Sequence, residues 1–175
     1  MATAWFNPQI ISQYAEEGGE DVHIRWDDST GYSSLKSSNG ASIGTLKPLI
    51  HIARSPKPNI TNKTYYLKMT GYNFVGLPDT VSGIELQING RRVGRITDDT
   101  VSLAYNNELL GDNQASLRIN PTTSYGGETS LWGLNSISKE TLQDSSFGVV
   151  VRFKSHPSWP HKDPMDLISV QLRIH

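Results

Sequence analysis

Two groups of residues in this chain are of the types that do chemistry. Asp27-Asp28 and Asp98-Asp99 are adjacent carboxylates, with Asp112 and Asn113 shortly beyond the second pair. Oxygen ligands converging from loops are what a hard cation such as calcium requires. The spaced acidic loop that normally delivers them is missing, and aspartates at turns and strand edges commonly bond nearby backbone amides instead. The second group is His156, Trp159 and His161, set among Pro157, Pro160 and Pro164. Two histidines fall short of the four ligands of a structural zinc site, and a chain with no cysteine offers no thiolate to complete one. A proline-stiffened loop with an aromatic at its centre is better suited to docking, because it loses little entropy on association. His156, Trp159 and His161 are therefore expected at a subunit contact, with stacking of the Trp159 ring on a sugar as the alternative.

Nucleophilic and hydrolytic chemistry find less support. Gly40-Ala41-Ser42-Ile43-Gly44 has the G-x-S-x-G spacing but falls in a polar Ser/Gly stretch, not at the strand-to-helix turn that a nucleophile elbow requires, and no carboxylate pair is marked out for glycoside hydrolysis, which requires two at a set separation. The expectation is a non-enzymatic protein with no catalytic residues, no cofactor and no metal. Arg91, Arg92 and Arg95 form a small basic cluster that Asp98 and Asp99 nearly cancel. With 16 Lys and Arg against 17 Asp and Glu, the net charge of -1 lacks the basic face a nucleic-acid partner needs.

The elements that must position these residues are strands. Apolar residues alternate with polar ones at Ile84, Leu86 and Ile88, and again at Ile168, Val170, Leu172 and Ile174, the period of a half-buried strand. Further strands are expected over Val22–Trp26, Tyr65–Tyr72, Val93–Tyr105 and Phe147–Phe153. Asn89-Gly90 is the strongest hairpin signal, and a brief helical turn is expected at Lys139–Gln143 with Leu142 buried. The 15 glycines and 9 prolines suit such a turn-rich chain. Almost no segment has helical periodicity, so the sheet must bury its apolar face on another sheet. The predicted fold is all-β: a single antiparallel β-sandwich, jelly-roll-like, over residues 21–175. Residues 1–20 are read as an N-terminal arm whose Trp5, Phe6, Ile10 and Ile11 pack on the same sandwich or on a neighbouring subunit. Trp132 is expected between the sheets.

Neither a secretory leader nor a run of roughly twenty apolar residues is visible, so membrane insertion is not expected and synthesis in a cytoplasm is. The sequons at Asn59 and Asn62 would matter only in a secretory compartment.

Several blocks carry a resemblance. They are W-D-D-x-x-G-Y (Trp26–Tyr32), Y-L-K-x-T-G-Y-x-F with L-P (Tyr66–Pro78), V-x-G-I-E-L-x-I (Val81–Ile88) and D-D-T-V-x-L (Asp98–Leu103). Y-G-G-x-x-x-L-W-G (Tyr125–Gly133), F-G-V-V-V-R (Phe147–Arg152) and a closing V-x-L-R-I strand follow. Together they resemble a β-sandwich module of tailed-bacteriophage virion proteins, found alone or appended to tail, fibre and surface components. The resemblance implies a virion protein made in the host cytoplasm and assembling as a homo-oligomer with other virion proteins, in tail, collar or baseplate or as a surface decoration. A receptor- or glycan-binding module for a host surface polysaccharide is the alternative, and a polysaccharide-degrading enzyme a more distant one.

Overall fold

The computed structural model describes residues 1–15, 22–26, 32–33, 35–36, 49–50, 62–91, 96–116, 119–155 and 165–175. In chain order its strands are β1 (Ile10–Tyr14), β2 (Val22–Ile24), β3 (Leu49–Ile50), β4 (Asn62–Thr64), β5 (Tyr66–Thr70), β6 (Ile84–Arg91), β7 (Ile96–Tyr105), β8 (Glu108–Leu110), β9 (Thr122–Gly126), β10 (Gly148–Ser155) and β11 (Met165–Ile174). One short helix, α1 (Lys139–Gln143), is capped by the Ser138 hydroxyl, which accepts from the Thr141 amide at 3.1 Å, and it buries Leu142.

The strands form a seven-stranded and a four-stranded sheet. In the first, β10 lies between β7 and the nearly continuous β4–β5 line; β8 extends the β7 side, while β1 and the parallel β2 extend the other. The second runs β3-β11-β6-β9. From β5 onward the chain changes sheet at every connection except β7 to β8, as expected of a jelly-roll-like sandwich. Period two then fills the interior. Leu67, Met69, Val101, Leu103, Val149, Val151 and Phe153 from the first sheet meet Ile84, Leu86, Ile88, Val170, Leu172 and Ile174 from the second, all fully buried. Among the described residues no helix is long and apolar enough to cross a membrane.

Two local features depart from the sequence expectation, and a third refines it. Asn89-Gly90 is not a hairpin turn: β6 runs through both residues, and Gly90 pairs with Leu167 while Asn89 pairs with Ser169. Ile168, skipped by that register, is a bulge, so Leu167 takes the buried position predicted for Ile168. A glycine opposite a bulge inside a strand is a common arrangement. The left-handed two-residue turn lies instead at Asn106-Asn107, with φ of 50° and 66°, joining β7 to β8.

The third feature is the N-terminal segment, which is built into both sheets. Thr3 N donates to Ile174 O at 2.8 Å, and Phe6 exchanges backbone bonds with Leu172 at 2.9 and 3.0 Å, adding to the edge of the second sheet. After Asn7 and Pro8 the chain crosses over and pairs as β1 with β5 of the first.

Candidate functional site

The acidic pair on β7 is divided by a register irregularity. β10 pairs Arg152 with Thr100 and Phe153 with Asp98, so Asp99 has no partner of its own and the two carboxylates serve different surroundings. Asp98, buried, accepts from the Tyr125 hydroxyl at 2.9 Å and the Ser116 amide at 3.1 Å, tying the first sheet to β9 of the second. Desolvation, then the nearby Asp98 charge and the hydrogen bond to it, push the Tyr125 phenol far above its ordinary value of 10. Asp99 holds Arg152 through Nε at 2.7 Å and Nη2 at 2.5 Å, with Lys154 Nζ at 3.6 Å. Asn113 Oδ1 accepts from the Val101 and Ala115 amides. Among the described residues no group of three or more potential ligands could hold a metal ion. Asp27 and Asp28 lie outside the described residues, as do His156, Trp159, His161, Arg92 and Arg95; Arg91 ends β6.

From Asp99 an ordered row crosses the outward face of the first sheet. Arg152, only 5% exposed, sets its guanidinium 4.1 Å from the Tyr66 ring centroid, and Tyr66 stacks on Tyr14 at 4.9 Å with 20° between planes. Register explains the row: Tyr14 pairs directly with Tyr66 on β5, and Arg152 follows Val151, the partner of Leu67. Carboxylate, guanidinium and two rings thus fix one another, with cation–π attraction strongest where the cation is desolvated. Tyr14 remains 43% exposed at the free end of the row. Burial, and then Tyr66, raise its phenol pKa, while Arg152 draws it partly back.

Beside Tyr14 a groove of about 300 Å³ opens between the sheet's two edges. Ser12, Gln13 and Tyr14 line one wall, and Asn107, Glu108 and the exposed Leu109 the other. Lys68, Val150 and Ala104 line it between them. Strands from opposite edges share one groove because the sheet is curled. Lys68 Nζ donates to the Asn107 side chain, and the left-handed Asn106-Asn107 turn is what brings that amide there.

The arm residues separate into two kinds. Phe6 packs edge-on against Phe74 at 5.2 Å, and Ile11 packs on the core, so both serve this chain's own sandwich. Trp5 lies 4.5 Å from the Arg173 guanidinium, and Ile10 is 52% exposed. Sequence reasoning missed Tyr14, Tyr66 and Arg152 as a set. Each occupies an outward strand position, but only the pairing register aligns them.

Comparison with family models, curated proteins and solved structures finds no match.

Proposed function

We propose that this chain is a structural protein of the tailed-bacteriophage virion, an oligomeric component of tail, collar or baseplate or a decoration of the particle surface. The observation that carries the reading is where the resembling blocks fall in the sandwich. Y-L-K-x-T-G-Y-x-F supplies β5 and the Tyr72 and Phe74 rings, which meet the Phe147 of F-G-V-V-V-R, and V-x-G-I-E-L-x-I supplies the first half of β6. D-D-T-V-x-L gives the Asp98–Tyr125 tie and the Asp99–Arg152 pair. Y-G-G-x-x-x-L-W-G brings Trp132, fully buried at φ 57°, to donate its indole N–H to Ile84 O at 2.9 Å. A side chain on Gly126 would meet the Ile84 carbonyl oxygen at 2.2 Å and that indole nitrogen at 2.5 Å, so the tryptophan's hydrogen bond depends on the glycine. Such joints are what a module reused as a building block must keep.

The experiment is an amber mutation in the gene, with particles examined by electron microscopy. Defective or incomplete particles are expected under restrictive conditions and intact ones on suppression. Morphologically complete, infectious particles without the protein would refute a tail, collar or baseplate role, and its absence from purified wild-type particles would refute the decoration as well.

A second reading, a peripheral receptor- or glycan-binding module, is favoured by the exposed Tyr14 ring beside an open groove. It predicts slower adsorption by particles carrying Tyr14→Ala, at unchanged particle yield; unchanged adsorption would refute it.

A further inference from the structure

We propose that the groove on the outward face of the first sheet binds neutral pyranosides, with the Tyr14 ring as stacking platform and Lys68, Asn107 and Glu108 as partners for the sugar hydroxyls. The inference rests on the second reading above and gives it a site and a ligand class.

A pyranose has an apolar C–H face and a rim of hydroxyls, and its site needs a flat apolar surface with polar groups to one side. Tyr14 supplies the surface: Tyr66 stacks on it, and it lines the groove while 43% exposed. The platform is fixed in advance, because Tyr66 is itself backed by Arg152, and Arg152 is clamped by Asp99 at 2.5 and 2.7 Å. Little side-chain entropy remains to be lost on binding. The Lys68 ammonium stands on the groove floor and an amide and a carboxylate across it, with the ammonium and the amide already hydrogen-bonded to each other. Such groups both donate and accept, as a ring of hydroxyls demands. The volume of about 300 Å³ lies at the small end of the range for small-molecule sites.

Charge selects among sugars. The lining holds one cation, Lys68, and one anion, Glu108, so it gives a uronic or sialic acid no net attraction. The Arg152 charge is already engaged by Asp99.

The test uses the full chain, saturation-transfer NMR and calorimetry, with maltose, cellobiose and lactose as neutral probes and glucuronic acid as the charged one. At least one neutral disaccharide should bind with a Kd of about 1 mM and glucuronic acid more weakly. Tyr14→Ala should weaken binding by about tenfold or more, while Tyr14→Phe retains it. Because Tyr14→Ala could loosen β1, Glu108→Gln on the opposite wall is the second variant and should weaken binding several-fold with unchanged melting. Absence of binding by every neutral probe at about 10 mM, preference for the uronic acid, or full affinity in both Tyr14→Ala and Glu108→Gln would overturn the proposal. Loss of the chain from particles on Tyr14→Ala, with no sugar bound by the wild type, would overturn it in favour of an assembly surface. Sugar binding in solution with adsorption unaffected by Tyr14→Ala would support the site and refute only the attachment role.

Discussion

The two faces of the first sheet are written in alternate residues of the same strands, yet they are organised differently. Inward, Leu67, Met69, Val149 and Val151 are fully buried and interchangeable in kind, each contributing area and shape. Outward, Tyr66, Lys68, Val150 and Arg152 differ from one another and are held by directed contacts: ring on ring, guanidinium on ring, ammonium on amide. The inward face has stability to lose, whereas the outward face has geometry to lose. The row from Asp99 to Tyr14 belongs to this outward side, where the proposed sugar site lies.

The largest expected effect lies in the interior. Trp132→Ala should destabilise the protein by about 3 to 5 kcal/mol, read by urea denaturation, because it empties a buried site and removes the indole donor to the Ile84 carbonyl, which keeps only the Gly127 amide. A loss under about 1 kcal/mol would mean that the surroundings collapse into the space and the Trp132 joint is dispensable.

Tyr125→Phe keeps the ring and removes only the hydroxyl that ties the sheets at Asp98, so a loss of about 1 to 3 kcal/mol is expected. The same bond predicts behaviour in alkali. The folded-state pKa of Tyr125 is raised, so its contribution is complete below about pH 10 and is lost as pH rises beyond that. Phenolate absorbance from Tyr125 should therefore appear only with unfolding.

In acid one sensitive group is Glu85 on β6. Burial opposes its ionisation, but hydrogen bonds from Arg173 at 2.6 and 3.1 Å and from His175 at 3.0 Å outweigh this and lower its pKa below the ordinary 4.5. A lowered folded-state pKa means the contribution is present above pH 4.5 and declines as pH falls through the folded value. Melting temperature should drop in that window, and Glu85→Gln should flatten the drop. The smallest effect is expected outward: Tyr14→Leu should shift stability by no more than about 1 kcal/mol, although it removes the flat ring. A larger shift would move Tyr14 from recognition to scaffold.

Much of the interior was legible because period two needs no knowledge of partners. Ile84, Leu86, Ile88, Val101 and Leu103 are buried as their alternation predicts, and α1 lies where Leu142 suggested. Register was not legible. Asn89-Gly90 has the composition of a tight turn, but pairing with β11 on one side and β9 on the other draws both residues into a strand. The turn fell to Asn106-Asn107, since asparagine also tolerates positive φ. The outward row depends on three strands being in register at once, so Tyr14, Tyr66 and Arg152 stay unrelated in the sequence. The sequence marks Phe6 and Ile11 as apolar anchors but not the edges that receive them, β11 at the opposite end of the chain for Phe6 and β5 for Ile11.

The most direct test of the account is quantitative mass spectrometry of gradient-purified particles, counting copies of this chain against a capsid protein of known number. A virion structural role predicts several copies per particle, constant between preparations and retained through washing in high salt. Peptides abundant in the infected lysate but absent from purified particles, or present at well under one copy each, would contradict it.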